Sequence, residues 1–146
     1  MNTQQLLERL QSDPATRLIV LGVFPRNKLP RAVCHPSGLI CNTDPASRPG
    51  EHWICMFIDH NGVGEYFDSF GLPPLHRVFV KYLNKHCVSW THNSQTLQDM
   101  NAETCGLYCL YYLKMRCRGV TRERLLRIFS HDYAANDRLI KLLQGK

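Results

Sequence analysis

The sequence predicts an α+β protein with a small central, mainly antiparallel β-sheet packed with helices. Three observations predict it. Asn61-Gly62 stands between two runs rich in aromatic and β-branched residues, and both accept the positive φ of a two-residue hairpin turn. Apolar residues recur at helical spacing over 75–86 and 106–117. The 146 residues suit one domain with a real core, and 44% hydrophobic against 21% charged residues reads as globular. We expect a single domain over 1–146.

Residues 3–11 read as a short amphipathic helix with Leu6, Leu7 and Leu10 on one face. Asp13-Pro14 ends it, because proline disfavours helical geometry in the residue before it. RLIVLGVF (17–24) is a short, branched, apolar run and reads as a buried strand. PRNKLPRAVCHPSG (25–38), with three prolines and a glycine, reads as loop, and so does NTDPASRPGE (42–51). HWICMFID (52–59) and EYFDSFG (65–71) are strands joined through HNGVG (60–64), so 52–71 is a β-hairpin. Pro73-Pro74 breaks the chain, and Leu75, Val78, Phe79, Tyr82 and Leu83 then mark a helix over 75–86. CVSW (87–90) reads as a further strand. GLYCLYYLKMRC (106–117) is a helix closed by Gly119, since glycine follows helix ends easily. Thr121 and Asp132 are N-caps for two last helices, over roughly 122–130 and 133–143.

Seven cysteines, an odd and scattered set, argue against a complete disulfide framework and for a reducing compartment. They contain no C-x2-C pair, so a zinc site of the usual spacing is a distant third reading. No apolar run reaches the ~18 residues of a membrane span. The opening MNTQQLLERLQSD lacks the basic-then-apolar order of a signal peptide, so the expectation is a protein that is not secreted. Net charge is +6, and Lys114, Arg116, Arg118, Arg122, Arg124 and Arg127 cluster near the end. Such a cluster is either a solvated helical surface or a face for a polyanion, nucleic acid first.

QDMNAETCGLYCLYYLKM (98–115) places Cys105 where its helix begins. Unpaired N–H groups and the helix dipole stabilise an anion there, and the thiolate is the reactive form of cysteine. A Cys–His hydrolase also needs a base, a group to hold the imidazole, and oxyanion donors. His52 opens the first hairpin strand and Asp68 closes the second, so the two can meet across the hairpin. Gln98, seven residues before the thiol, lies in a loop beside the helix N-terminus. By pattern alone, Cys105 also fits a small buried residue, His52 a strand-end histidine, and Asp68 a turn cap. His35, His60, His76, His86, His92 and His131 compete with His52.

These residues resemble a known family, that of adenain, the adenovirus-type cysteine protease, in the clan shared with ubiquitin-like-protein proteases. LGVFPRNKLPRAV (21–33), CNTDPASRPGEHW (41–53), YFDSFG (66–71) and SQTLQDMNAETCGLYC (94–109) resemble family motifs in the same order, across about residues 17–117. The resemblance implies Cys105 as nucleophile, His52 as base, Asp68 in place of the family's glutamate, and Gln98 as oxyanion donor beside the backbone N–H of Cys105. It implies Trp53 as a wall of the substrate groove. It also implies Cys87 as the anchor of an activating peptide that adds a strand and joins by disulfide, and DNA as a second stimulant. Buried strand or core residues are the plain alternatives for Trp53 and Cys87. The chain departs from the family in having Ser69 where the motif has proline, and in being shorter.

The reaction implied is two-step acyl transfer on viral precursor proteins cut near glycine, with no cofactor required for the chemistry itself. The expected setting is the virion and the host nucleus, as a monomer away from membranes. A same-fold isopeptidase acting on ubiquitin-like tails is the nearest rival, and a basic nucleic-acid-binding module with inert thiols is the rival from another class.

Overall fold

A computed structural model describes residues 1–31, 33–44 and 52–144. Helix α1 (Thr3–Ser12) opens with a capping box, in which the Asn2 and Gln5 side chains each accept the other's backbone N–H at 2.9 Å. Its Leu6 and Leu10 are buried. The apolar run 17–24 does not form one strand. Its first part turns into the short helix α2 (Thr16–Ile19), and only β1 (Val20–Pro25) is extended. Asp13 is the cause, since its carboxylate accepts the N–H groups of Ala15 and Thr16 at 3.2 and 3.0 Å and starts a helical turn.

A further strand, β2 (Ser37–Asn42), lies between the two expected loops and takes the last two residues of the first. Leu39, Ile40 and Cys41 are too short an apolar run to stand out between proline-rich flanks. Pairing on both sides, with β1 and β3, supplies what the run lacks, and all six residues are buried. Of the second expected loop, residues 45–51 lie outside the described residues.

The hairpin is β3 (Trp53–Ile58) and β4 (Val63–Phe67), antiparallel, with Cys55 opposite Phe67 and Gly62 at φ +80° in the turn. Helix α3 (Arg77–His86) then crosses to β5 (Ser89–His92), which joins β4 in parallel, and a parallel join requires such a crossover. Three helices follow, α4 (Cys105–Cys117), α5 (Arg122–Leu126) and α6 (Tyr133–Gln144), with α5 shorter than expected. Thr121 caps α5 by accepting from Arg124 N–H at 3.3 Å, and Asp132 accepts from Ala135 N–H at 3.0 Å at the start of α6.

The sheet order is β1-β2-β3-β4-β5, antiparallel in the middle and parallel at both edges. Strand alternation then builds two cores. Ile40, Trp53, Cys55, Phe57 and Phe67 face the layer of α4, while Leu39, Cys41, Ile54, Met56 and Tyr66 face α3. Helix α4 is buried on nearly every side, with Tyr108, Tyr112 and Leu113 fully enclosed, and so carries its first residue, Cys105, to the sheet. Among the described residues no helix is long and apolar enough to cross a membrane.

The basic cluster of 114–127 is partly engaged within the protein, although Arg118, Arg124 and Arg127 are exposed. Arg116 pairs with Glu65 at 3.0 Å and Arg118 with Asp13 at 2.6 Å. Lys114 donates to Gln144 and Arg122 to Thr91, each at 2.8 Å. Four of its six cations thus bond within the protein, while Arg124 and Arg127 remain exposed.

Candidate active site

Cys105 opens α4, and Thr104 precedes it as the N-cap without capping. The Thr104 hydroxyl instead donates to Asp137 Oδ1 on α6 at 2.9 Å. The first N–H groups of a helix lack intrahelical acceptors; in α4 those of Leu107 and Tyr108 bond Thr104 O at 3.0 and 3.2 Å, which leaves those of Cys105 and Gly106 beside the sulfur. The backbone amides of Trp53 and Gly106 donate toward the Cys105 sulfur.

His52 immediately precedes β3, and Asp68 immediately follows β4. The hairpin register, continued past the ladder, sets Phe70 opposite His52. The two rings stack with centroids 4.9 Å apart. His52 Nε2 bonds Asp68 Oδ1 at 2.8 Å, with only 6% of the Asp68 side chain exposed. The second imidazole nitrogen is left for the Cys105 thiol, and the interaction of the two groups raises the imidazole and lowers the thiol.

The electrostatics follow from this chain of contacts. Burial works against charge on His52, but the bonds to Asp68 and Cys105 outweigh it and raise the imidazole to about 9. Burial likewise pushes the Cys105 thiol up, yet the His52 bond and the Trp53 and Gly106 amides bring it below its ordinary value. The buried or half-buried thiols of Cys41, Cys87, Cys109 and Cys117 all move up. Cys105 therefore moves in the opposite direction to these four, beside an imidazole whose charged form is favoured.

Gln98 is 1% exposed and lies on the same cleft of ≈ 550 Å³, lined among others by His52, Trp53, Phe70, Glu103 and Cys105. Its Nε2 donates to Ala102 O at 2.6 Å, and its Oε1 accepts the Ser69 hydroxyl at 2.6 Å. A carbonyl can only accept, so the amide orientation is determined. Nε2 carries a second N–H beyond the one given to Ala102. Trp53 lines the cleft with its Nε1 donating to Met1 O at 2.9 Å.

Cys87 stands apart from this cleft, at the C-terminus of α3. Its sulfur packs over Gly64, where an added Cβ would lie 2.4 Å from it, and burial raises its thiol to about 11. All seven cysteines are free thiols. Among the described residues no group of three or more His, Cys, Asp or Glu is placed to hold a metal ion.

Two contributors escaped the sequence reading. Asn93, 5% exposed, clamps Asp68 from both sides of its peptide, accepting from Asp68 N–H at 3.0 Å and donating to Asp68 O at 2.7 Å. Ser69, fully buried, holds Gln98 through its hydroxyl, and its carbonyl accepts the N–H of Leu97 at 2.8 Å. The signal for Asn93 was weak, a lone asparagine after a short strand. The signal for Ser69 was the departure from proline noted above.

No protein-family model matches the sequence. The chain is 29% identical over 109 residues to the cysteine protease S273R of African swine fever virus (isolate Tick/Malawi/Lil 20-1/1983), covering 67% of this chain and 40% of that protein. Its counterpart in isolate Tick/South Africa/Pretoriuskop Pr4/1996, named SUMO-1 cysteine protease S273R, is 28% identical over 122 residues, covering 75% of this chain and 45% of that protein. This chain thus spans under half the length of these relatives. The crystal structure of the African swine fever virus pS273R protease superposes with TM-score 0.62 at 19% identity, over 95% of this chain and 65% of that one. SUMO protease Ulp1, in a form with its catalytic cysteine oxidised to sulfinic acid, superposes with TM-score 0.53 at 14% identity, over 99% of this chain and 75% of that one. The fold is thus a cysteine-protease fold. These likenesses support the broader group of such proteases, while the narrower resemblance to adenain rests on the sequence motifs.

Proposed function

We propose that the chain is a cysteine endopeptidase working through a Cys105–His52–Asp68 triad. The observation that carries the reading is His52 set between Asp68 and Cys105, with the imidazole raised to about 9 and the thiol lowered. In the first step the Cys105 thiolate attacks the scissile carbonyl, forming the thioester, and His52 gives its proton to the leaving amine. In the second, His52 takes a proton from water, hydroxide adds to the thioester, and the thiolate leaves. The second side-chain N–H of Gln98 and the backbone N–H of Cys105 receive the oxyanion in both, and one such donor supports roughly 10²–10³-fold in kcat.

The substrates we assign are viral precursor proteins, with glycine before the cut. Trp53 and Phe70 beside His52 favour a residue without a side chain, because glycine lets the backbone approach closely. A second reading, an isopeptidase on ubiquitin-like conjugates, is favoured by the name SUMO-1 cysteine protease that one relative carries. Parallel incubation with a glycine-containing viral precursor and with a ubiquitin-like conjugate separates the two.

The test of the protease reading is the alkylation rate of every cysteine against pH, followed by mass spectrometry in wild type and His52→Ala. Cys105 is expected to react well below pH 8 and to lose that advantage in the variant. A Cys105 no faster than Cys34 or Cys117 in the wild type overturns the reading.

A further inference from the structure

The net positive charge of this chain comes from two stretches. Residues 14–43 and 69–98 contain seven Lys and Arg and no Asp or Glu, whereas the remainder contains eleven Lys and Arg against twelve Asp and Glu. The fold brings the two stretches together. The segment after β1 and the helix α3 form a groove of ≈ 300 Å³, lined by Arg26, Leu29, Val78, Lys81, Tyr82 and Lys85. Lys81 and Lys85 stand one helical turn apart on the exposed side of α3.

The groove is held in shape. Tyr82 donates to Pro30 O at 3.0 Å, tying the segment to the helix. Arg26 donates to Thr43 O at 2.8 Å and lies 3.2 Å from His76 Nδ1. Leu29 from the segment and Val78 from the first turn of α3, both half-buried, pack against the core under the sheet's α3 face and form an apolar floor. Among the described residues neither Arg26, Lys81 nor Lys85 joins an ion pair. One backbone link joins the groove's wall to the candidate active site, which opens on the other side of the sheet: Thr43, whose carbonyl accepts from Arg26, donates its N–H to His52 O at 3.0 Å.

We infer that this groove docks an acidic segment of the protein substrate, with an apolar side chain on Leu29 and Val78 and carboxylates on Arg26, Lys81 and Lys85. Only the identity of the occupant as substrate rests on the protease reading. An apolar floor inside a cationic rim matches a peptide that alternates acidic and apolar groups. A phosphate backbone would use the rim and leave the floor empty.

The probe is a fluorescein-labelled peptide of glutamates around one central leucine, followed by fluorescence anisotropy. It is compared with the same peptide carrying alanine for leucine and with single-stranded DNA of equal charge. Lys81→Glu/Lys85→Glu is expected to weaken binding of the leucine peptide by about tenfold or more at low salt. Arg124→Glu/Arg127→Glu, with the same charge change in the opposite helical layer, is expected to leave it unchanged. The alanine peptide is expected to bind more weakly than the leucine peptide, and the DNA more weakly than either.

Equal weakening by both variant pairs, indifference to the leucine, or tighter binding of DNA in the groove each overturns the proposal. Lys81 and Lys85 are exposed, so the variant keeps its fold, and circular dichroism checks this. In a second arm the acidic segment is fused ahead of a glycine cleavage site, where the lysine variant is expected to raise KM and leave kcat unchanged. A fusion that wild type binds but does not cut counts against the protease reading and leaves the groove standing.

Discussion

A thiol enclosed by protein ordinarily keeps its proton, and four of the cysteines here follow that rule. Cys105 departs from it because its neighbours donate rather than merely enclose. The pH dependence of peptidase activity follows. Activity should rise as Cys105 ionises, at a pH below the ordinary thiol range, and fall as His52 loses its proton near 9. Asp68→Asn removes the carboxylate that keeps the imidazole charged, so the alkaline limb should move down toward 6.5 with a loss of roughly 10²–10⁴-fold in kcat. A pH–rate profile of kcat checks both statements. Asn93→Ala should shift the same limb more modestly, since it frees the Asp68 peptide without removing the carboxylate. Ser69→Ala should lower kcat by about tenfold with the pH profile unmoved, because it loosens only the oxyanion donor.

At the scale of elements, the imidazole-orienting turn and the oxyanion loop are one interlocked unit. Asn93 clamps Asp68, Thr96 donates its hydroxyl to Phe70 O at 2.9 Å, and Ser69 accepts from Leu97 N–H. Gly71 lets the two segments of this unit close together. Its φ is +73°, and an added Cβ would meet the Gln95 and Ser94 backbone at 2.8 Å. Gly71→Ala should therefore cost about 2 kcal/mol or more of stability and reduce activity disproportionately, as read by urea unfolding beside kcat. Helix α6 buttresses the same loop. Asp137 accepts from the hydroxyls of Thr104 and Tyr108 at 2.9 and 2.8 Å and from Asp99 N–H at 3.2 Å. Asp137→Ala should cost roughly 2–4 kcal/mol, because it leaves buried donors unpaired.

Over the whole molecule, the sheet divides the protein into an α4 layer that carries the nucleophile and an α3 layer that carries the excess positive charge. The ends of helices α1 and α4 are joined by charge, where Arg118 meets Asp13. Burial raises the Asp13 carboxyl, but the Arg118 bond and the Thr16 and Ala15 amides outweigh it and hold the group at about 2, below the ordinary 3.8. A group depressed on folding supplies stability above its unfolded value and loses it as pH falls through the folded one. Wild type should therefore lose stability between pH 3.8 and about 2. Asp13→Asn should be less stable at neutral pH and flatter across that window, as measured by thermal unfolding at several pH values.

Local pattern was enough wherever an element announces itself in neighbouring residues. Asn61-Gly62 marked the place of the hairpin, but only Gly62 takes positive φ, and the four-residue turn is held by the Asp59 carboxylate, which accepts the N–H groups of Asn61 and Val63 at 2.9 and 3.0 Å. The 106–117 periodicity and Gly119 determined the helix that begins at Cys105, and with it the thiol's place at a helix start. That His52 and Asp68 flank the hairpin's open end was legible for the same reason. What only the tertiary structure decided depends on residues far apart in the chain. Strand β2 exists because β1 and β3 pair with it, not because LIC is a strong run. Part of the basic cluster closes on Glu65 and Asp13, while an open cationic groove forms where two acid-free stretches meet. Asn93 and Ser69 act on Asp68 and Gln98 across 25 and 29 residues of sequence. A hydrogen bond between such distant positions leaves no local periodicity to read, and only the folded chain brings its two ends within 3 Å.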